Sequence, residues 1–509
     1  MSYLMGIDVG TTGTRAIVVD EAGTLVASAT AEYPLYTPHP LWAEQDPLDW
    51  WQATQTAVRG ALARAGLKGS DIQGIGLSGQ MHGLVLLDAQ DQVLRPAILW
   101  CDGRTQAQCD WITERVGRAR LFDLVANPPL VGFTAPKIVW VRDHEPAVLD
   151  RARRALLPKD YLRFRLTGAY ATEVSDASGT LLLDVKHRRW SKEMLSLLEV
   201  DERLLPEVFE SPVATARVSA EAAAATGLAE GTPVVGGAGD QAAGGVGNGI
   251  VRPGLISSTI GSSGVVFAFT ERPWMDPGGR IHTFCHAVPG RWHVMGVTLG
   301  AGLSLRWVRD ELGQVEMAAG GLTGEDPYAL LTAEAENAPA GCDGLIYLPY
   351  LMGERTPHLD PNARGVWFGL TGRHRRAHLV RSVLEGVAYS LKDSLELLRG
   401  LGVPLGEVRF SGGGGRSALW RQIQADVFGL GGVTLNVGEG PAYGVALLAG
   451  VGTGVWATVE EACDATLRVV ERVTPDPGRM ATYGRYYPIY RALYDSLKPQ
   501  FAAVAAAEG

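Results

Sequence analysis

Asp240 lies alone in a long glycine-rich stretch of the chain. It is the only ionisable residue of GGAGDQAAGGVGNG (236–249), and the next acidic residue is Glu271, although the chain holds 55 Asp and Glu residues. A strand-like run, Thr232–Val235, precedes it, and glycine turns would bring its carboxylate close to the backbone. Such a carboxylate can act as a general base, bind a metal ion or cap a turn.

A second carboxylate, Asp8, ends the strand-like run 3–9 directly before the turn GTTG. Alone, it would be interpreted as a turn-capping aspartate. As a pair, Asp8 and Asp240 fit Mg²⁺–nucleotide chemistry, because Mg²⁺ uses one or two carboxylates together with substrate phosphates. Phosphoryl transfer also uses one carboxylate to take the proton of the acceptor hydroxyl. The pair therefore predicts catalytic residues and a Mg²⁺ ion held through the nucleotide ATP.

Three glycine turns follow predicted strands, at residues 10–13 (GTTG), 261–264 (GSSG) and 412–415 (GGGG). Their backbone N–H groups can approach phosphates, and the last turn opens a helix whose N-terminus favours anions. None is a P-loop, because the dipeptide Gly-Lys is absent. The predicted nucleotide-binding residues are Gly10, Thr11, Thr12, Gly13, Arg15, Gly261, Ser262, Ser263, Gly264, Gly413, Gly414 and Ser417.

Two further glycine motifs, GIGLSG (74–79) and GAGDQA (237–242), match the dinucleotide-binding pattern. A dinucleotide site needs a helix after the motif and an acidic residue about 20 positions later. The strand-like LVLLD follows the first motif, and no acidic residue follows the second for 30 positions. The sequence therefore disfavours a dehydrogenase.

Polar residues gather in SGQMHGLVLLD and ILWCDGRT, where predicted strands end. Ligands of α/β folds bind at strand ends, and a sugar or polyol needs amide, imidazole and charged partners beside an aromatic wall. The predicted substrate-binding residues include Gln80, His82, Trp100 and Arg104, with a buried structural histidine as the alternative for His82. The motif HTFCH (282–286) resembles a metal cluster only loosely, and the strand pattern around it favours a structural role.

The strand–glycine turn–strand pattern of residues 5–21 returns at residues 257–271. Gly10 and Gly261 are 251 positions apart in a chain of 509 residues, which indicates a duplicated fold. The alternation of strands and helices predicts an α/β protein with domains 1–247 and 248–509. Helices are predicted after Asp46, a good N-cap before Pro47, and over residues 376–400. A C-terminal helix (about 476–505) is expected to pack on the first domain or on a partner subunit.

The composition narrows the function classes. The net charge is −9 and the pI about 5.7, whereas a protein that binds nucleic acid needs a basic surface. The composition therefore gives no indication of nucleic-acid binding. Five scattered cysteines without CxxC spacing indicate free thiols in a reducing compartment. No membrane span or signal peptide is expected, so the predicted location is cytoplasmic. A homodimer is one expectation for the oligomeric state.

These motifs together resemble the FGGY family of carbohydrate kinases over nearly the whole chain. GIDVGTTGTRAIVVD and TIGSSGVVFAF resemble the two phosphate hairpins of the family, and FSGGGGRSALWRQIQAD its adenine-side glycine motif. The segments GFTAPKIVWVRDH and GVWFGLTGRHRRAHLVRSVLEGVAYSLKD resemble the two family signatures. The resemblance implies an actin-like (RNase H-like) ATPase fold, in which two duplicated α/β domains flank a cleft.

Narrower motifs, among them SGQMHGLVLLD, LLPKDYLRFRLTG and YLMGERTPH, resemble the members that phosphorylate D-xylulose. The resemblance implies that Met81 and His82 contact the ketose, that Asp240 is the general base and that Asp8 serves Mg²⁺–ATP. Gln241 stands where an asparagine is expected, and its longer side chain would narrow the sugar pocket. Alternatives are a kinase of ribulose, xylitol, glycerol or another acceptor, and a non-kinase actin-like ATPase.

Overall fold

The computed structural model describes residues 2–508. Between residues 2 and 247 the first half contains fifteen strands and ten α-helices in alternation. The strands are β1 (Tyr3–Val9), β2 (Gly13–Asp20), β3 (Leu25–Glu32), β4 (Glu44–Gln45), β5 (Ile72–Gly79), β6 (Val85–Leu87), β7 (Ala97–Ile98), β8 (Arg154–Leu156), β9 (Ala171–Glu173), β10 (Leu183–Asp184), β11 (Arg189–Trp190), β12 (Glu207–Phe209), β13 (Ala214–Arg217), β14 (Pro233–Val235) and β15 (Ala238–Gly239). The helices are α1 (Pro47–Ala65), α2 (Gln106–Val116), α3 (Arg118–Val125), α4 (Thr134–His144), α5 (Pro146–Arg151), α6 (Pro158–Thr167), α7 (Val174–Ser178), α8 (Lys192–Leu198), α9 (Ala220–Thr226) and α10 (Asp240–Gly247).

The second half continues the alternation with longer helices. Its strands are β16 (Gly254–Ile260), β17 (Gly264–Thr270), β18 (His282–Cys285), β19 (Trp292–Thr298), β20 (Ile346–Leu348), β21 (Val366–Phe368), β22 (Leu405–Gly412), β23 (Gly432–Leu435) and β24 (Val469–Val473). Its helices are α11 (Ala301–Leu312), α12 (Gln314–Thr323), α13 (Pro327–Ala335), α14 (Arg376–Gly400), α15 (Ala418–Phe428), α16 (Gly440–Gly452), α17 (Val459–Thr466) and α18 (Pro477–Glu508).

The two halves are built on sheets with the same internal order. In the first sheet β1 pairs antiparallel with β2, β2 antiparallel with β3, and β5 lies parallel between β1 and β14. In the second sheet β16, β17, β19, β22 and β23 repeat these positions and directions, and β18 extends the edge beside β19. Both sheets end on an antiparallel strand, β13 or β24. The duplicated α/β architecture predicted from the sequence is confirmed.

Each sheet is covered by the helix that the sequence places after its opening strands. Helix α1 begins as predicted, with the Asp46 carboxylate accepting from the Leu48 N–H and Pro47 in the first turn. It packs on β2 and β3, whereas the long helix α14 packs on β17 and β19. Trp50 on α1 and Leu391 on α14 are completely buried.

Helix α10, from the first half, and helix α16, from the second half, pack against each other. Helix α16, from the second half, lies on β1 and β5 of the first sheet. Glycines allow this approach: a Cβ on Gly6 would lie 1.9 Å from the Ala442 carbonyl oxygen, and one on Gly444 would lie 1.9 Å from the Ala243 carbonyl oxygen. The apolar core therefore runs without interruption between the halves.

Helix α18 packs on the second half, on α14, α15 and β20. The expectation that it packs on the first domain is therefore corrected. A row of tyrosines fixes its position. The hydroxyl of Tyr487 donates to Asp393 at 2.6 Å, and those of Tyr483 and Tyr494 donate to carboxylates of the same half at 2.9 Å. Among the helices of residues 2–508, none combines the length and apolar character needed to cross a membrane.

Candidate active site

Asp8 and Asp240 lie at the same edge of the first sheet. Asp8 on β1 is paired with Ser78 on β5, and Ser78 is in turn paired with Ala238 on β15. Asp240 follows two residues later as the first residue of α10. The negative charge of Asp8 acts on Asp240, which shows that the two carboxylates lie near each other at the strand ends. The sequence therefore predicted correctly that the fold brings these two acids together.

Both carboxyl groups are less acidic than ordinary aspartates. Burial, followed by the negative charge of Asp8, raises the pKa of Asp240 to about 7, while hydrogen bonding by Gln241 opposes the shift. Burial raises the pKa of Asp8 to about 6, against the effects of Ser78 and Arg15. The alternative role of Asp240 as a helix cap does not apply, since Gly239 occupies the N-cap position. Asp240 is thus poised to accept a proton near neutral pH.

The first glycine turn is held by side chains from three other segments. Gln45 donates to the Thr11 carbonyl oxygen at 2.7 Å, and the Trp100 indole N–H donates to the Thr11 hydroxyl at 2.9 Å. The Gln80 amide donates to the Gln45 side-chain oxygen at 2.9 Å and to the Gly10 carbonyl oxygen at 3.3 Å. Gln80 and Trp100 were predicted to bind substrate, and here they fasten the turn. The Trp100 ring stays 38% exposed beside it.

Met81 and His82 follow β5, one strand away from Asp240. A Cβ on Gly239 would lie 3.0 Å from the Met81 side chain, so this methionine packs against the backbone that presents Asp240. The His82 ring stacks on Phe133 with centroids 4.6 Å apart, and its Nδ1 lies 2.7 Å from the Gly179 carbonyl oxygen. Burial, followed by the charge of Lys137, holds the pKa of His82 well below its usual value, so the ring is neutral.

Lys137 is the residue that fixes the backbone of His82, and the sequence did not single it out. Its ammonium group is completely buried and donates to the carbonyl oxygens of His82 and Gly132, each at 2.7 Å. His82 has a φ of 71°, in the left-handed region that residues other than glycine seldom adopt. Burial lowers the pKa of Lys137 to about 7. The hydrogen bonds of Lys137 therefore hold the strained backbone conformation of His82, and such strain is common at ligand sites.

Arg104, which the sequence predicts to bind substrate, is enclosed by side chains of its own half. Its guanidinium makes a bidentate contact with Asp102, pairs with Glu44 at 2.8 Å and lies 3.6 Å from the Trp42 ring centroid. The Arg104 side chain is only 2% exposed. Asp102 also accepts from the Ala43 N–H at 2.7 Å, so the cluster joins two loops of the first half. These contacts join Arg104 to Asp102 and Glu44, while its Nη1 atom is buried without a hydrogen-bond partner.

The second glycine turn caps a cavity of about 680 Å³ in the second half. The Gly302 and Leu303 N–H groups at the start of α11 donate to the carbonyl oxygens of Gly261 and Ser262 at 2.9 and 3.0 Å. Ser417 caps α15 through its contact with the Trp420 N–H. The lining includes five predicted nucleotide-binding residues: Gly261, Ser262, Gly413, Gly414 and Ser417. It also includes residues that the sequence did not suggest: Arg306, Tyr328, Ala329, Thr332, Glu336 and Arg416.

Arg15 joins the two halves next to the first glycine turn. It lies on β2 opposite Asp8 and forms an ion pair with Glu439, which directly precedes α16. The positive charge of Arg15 also opposes the raised pKa of Asp8. Arg15 was predicted to bind nucleotide. In the structure it lies near one carboxylate of each half, Asp8 in the first and Glu439 in the second.

The surroundings of Asp8 offer few protein ligands for a divalent cation. Within residues 2–508 no group of three or more His, Cys, Asp or Glu side chains is arranged to hold a metal. The Oδ1 atom of Asp8 is nevertheless buried without a hydrogen-bond partner, although it lies at the first glycine turn. A single free carboxylate oxygen fits an ion such as Mg²⁺, which takes few protein ligands and completes its shell with phosphates and water.

The chain matches two family models in succession. Residues 3–247 match the N-terminal domain and residues 256–453 the C-terminal domain of the FGGY family of carbohydrate kinases. A xylulose kinase of Escherichia coli is 42% identical over 98% of this chain and 100% of its own length. A gluconokinase of Bacillus subtilis is 31% identical over 99% of this chain and 98% of its own length.

A solved structure agrees with these sequence matches. The crystal structure of xylulose kinase from Rhodospirillum rubrum has a TM-score of 0.88 and 32% identity, and the match covers 98% of this chain and 100% of that one. The shared fold spans both sheets and the helices that pack between them. With its duplicated α/β halves and the two family models that it matches, the chain belongs to the FGGY family of carbohydrate kinases.

Proposed function

We propose that this carbohydrate kinase transfers the γ-phosphoryl group of ATP to the terminal hydroxyl, O5, of D-xylulose. The observation that carries the proposal is the position of Asp240, whose pKa is raised to about 7 beside Asp8 and the Met81–His82 segment. The xylulose kinases among the relatives support the choice of ketose. The cavity bounded by Gly261 and Gly413 is the proposed nucleotide site.

Asp240 acts as the general base in the proposed reaction. Its carboxylate takes the proton of the O5 hydroxyl while that oxygen forms a bond to the γ-phosphorus. The bond between the γ-phosphorus and the bridging oxygen of ADP breaks in line, and ADP leaves with the bonding electrons. A pKa of about 7 suits this role, because the group is then both ionised and basic at neutral pH. Backbone N–H groups at the glycine turns would stabilise the charge that develops on the phosphates.

Asp8 is the proposed protein ligand of Mg²⁺ that arrives with ATP. Its buried Oδ1 atom has no hydrogen-bond partner, and the neighbouring Arg15 favours the ionised carboxylate. When bound, Mg²⁺ neutralises part of the phosphate charge. Asp240 lies at the same edge of the sheet and remains available to the acceptor hydroxyl.

An assay of ADP release, with ATP and Mg²⁺ present, tests the proposed function. The acceptor panel is D-xylulose, D-ribulose, xylitol, glycerol and gluconate. We expect selective turnover of D-xylulose. Turnover of another acceptor would overturn the choice of ketose, and ADP release independent of any acceptor would overturn the kinase mechanism.

Gluconate is the second candidate acceptor, and one observation favours it. The guanidinium of Arg355, in the second half, makes no hydrogen bond or ion pair with any residue between positions 2 and 508. A free guanidinium near a sugar site could pair with the carboxylate of an acid sugar. The gluconate arm of the panel decides between the two acceptors.

A further inference from the structure

The loop that carries Arg355 is fastened on both sides. Glu354 is 2% exposed and accepts from the Thr298 hydroxyl at 2.5 Å and from the Leu299 N–H at 2.9 Å. It also accepts from the Arg355 backbone N–H at 2.7 Å. The Thr356 N–H donates to the Val297 carbonyl oxygen at 2.9 Å. The backbone of the loop is therefore held rigidly on β19.

The same contacts place Arg355 beside His282. The Thr356 hydroxyl donates to the Arg280 carbonyl oxygen at 2.6 Å, two residues before His282. His282 on β18 is paired with Met295 on β19, two residues before Val297. Residue 356 thus joins the two strands next to the His282 position, and the adjacent side chain of Arg355 is half-buried there.

His282 belongs to the second half, yet it lies against the aromatic cluster of the first. Its ring centroid is 5.9 Å from that of Phe133, the residue on which His82 stacks. Both ring nitrogens of His282 are buried without a hydrogen-bond partner, and the residue is 2% exposed. A buried imidazole without partners is costly unless a ligand supplies them.

The charge of Arg355 acts on both histidines. It lowers the pKa of His82 and that of His282, the latter to about 3, although burial is the largest cause in each case. Both effects agree with the contact of the Thr356 hydroxyl with the Arg280 carbonyl oxygen, which brings the Arg355 loop to the strand of His282. The pKa of Arg355 itself is lowered by burial and raised by the adjacent Glu354, so a charged donor is held at this place without a partner of its own.

From this arrangement we propose that Arg355 and His282 form the side of the acceptor site that belongs to the second half. Arg355 donates hydrogen bonds to those oxygens of the open-chain sugar that do not receive the phosphoryl group. The inference rests on the proposed sugar-kinase function and adds a specificity-determining cation from the opposite half. A rigid loop, an unpaired guanidinium and an unpaired imidazole facing the His82–Phe133 stack support it. One sugar would then contact both halves and favour closure of the cleft.

The test compares steady-state kinetics of Arg355→Gln, Arg355→Lys and wild type, with the acceptor that wild type turns over best. Loss of a charged hydrogen-bond donor is worth about 10- to 100-fold in affinity. We expect KM for the acceptor to rise by this factor in Arg355→Gln and less in Arg355→Lys, while KM for ATP stays within about twofold of wild type. The control is Arg373→Gln, which removes an exposed arginine that donates to the Asp343 carbonyl oxygen and should change neither KM.

An acceptor KM that stays within about twofold of wild type in Arg355→Gln would overturn the inference, as would equal increases in both KM values. If Arg355→Gln does not fold, Arg355→Lys and His282→Phe are measured in the same way and decide the point. The outcome is separable from that of the proposed function. If wild type prefers gluconate, the proposed ketose is wrong, yet a selective rise in the gluconate KM of Arg355→Gln still supports the role of Arg355.

Discussion

The two halves share a sheet order, but they differ at one matched position where the chemistry is concentrated. On β1, Asp8 is paired with Ser78 of β5, just before the first glycine turn. On β16, the corresponding residue Thr259 is paired with Ser411 of β22, just before the second glycine turn. The hydroxyls of Thr259 and Ser411 are hydrogen-bonded to each other at 2.7 Å. Each hydroxyl therefore has a partner, and the position carries no charge.

This difference shows how a duplicated fold separates two tasks. The first half keeps a partly free carboxylate and adds Asp240 at the same edge, which concentrates negative charge where a proton is transferred. The second half replaces the acid with a hydroxyl pair, so its turn can approach nucleotide phosphates without like-charge repulsion. The variants below exchange or remove these groups, from the largest expected effect to the smallest.

Asp240→Asn removes the proposed base while keeping the size of the side chain. We expect turnover to fall by at least about 10³-fold, because general-base catalysis contributes factors of this order. Turnover is measured by ADP release, and folding is checked by circular dichroism. Asp310→Asn is the matched control, since Asp310 lies on α11 and pairs with its neighbour Arg309. Wild-type turnover in Asp240→Asn would rule out the assignment of the base.

Asp8→Thr gives the first half the residue of the second. We expect turnover to fall on the order of 10²-fold, since a group that stabilises phosphate charge is lost. In wild type, activity rises with pH through about 7 because Asp240 must be ionised. Without the negative charge of Asp8, the pKa of Asp240 falls, so the midpoint of the residual activity moves to lower pH. An unmoved midpoint would show that Asp8 does not set the basicity of Asp240.

Thr259→Asp makes the opposite exchange in the second half. A carboxylate next to the second glycine turn should repel the nucleotide phosphates and raise KM for ATP about tenfold, while KM for the acceptor changes little. Steady-state kinetics with each substrate varied in turn measure both constants. Thr259→Val is the control: it removes only the hydrogen bond to Ser411, costs about 1 kcal/mol of stability and leaves KM for ATP unchanged. An unchanged KM for ATP in Thr259→Asp would argue against phosphates at this turn.

Asp240→Asn should also change the dependence of stability on pH. The pKa of this group is 3.8 without perturbation and about 7 in the folded protein, so the folded state favours the protonated form. Wild-type stability is therefore reduced progressively as pH rises from about 4 to about 7, and the loss is constant above that range. The variant lacks this penalty and should unfold at a higher temperature at pH 8 but not at pH 3.5. Thermal unfolding at both values measures the difference, and equal shifts at the two would contradict the raised pKa.

The sequence predicted the features that depend on local signals. The two glycine hairpins, the start of α1 at Pro47 and the length of α14 follow from turn residues, a cap and a long periodic run. Asp8 and Asp240 were paired correctly, because strand ends of one parallel sheet edge lie together.

The sequence could not identify the partners that long-range packing supplies. Arg104 was assigned to the substrate, but Trp42 and Glu44, some sixty residues earlier in the chain, enclose it beside Asp102. Helix α18 shows an amphipathic tyrosine pattern, yet nothing in that pattern indicates which half provides the carboxylates. Lys137 and Arg355 were missed because each acts on a residue from a distant segment.

The position of α16 on the first sheet limits how the protein can be divided into fragments. The model of the N-terminal family domain ends at residue 247, but the helix that covers β1 and β5 comes from residues 440–452. A fragment cut at that boundary would leave this sheet face, with its bare glycines at positions 6 and 76, open to water. The first half is therefore not an independent module, and it is not expected to fold without the helix that the second half supplies.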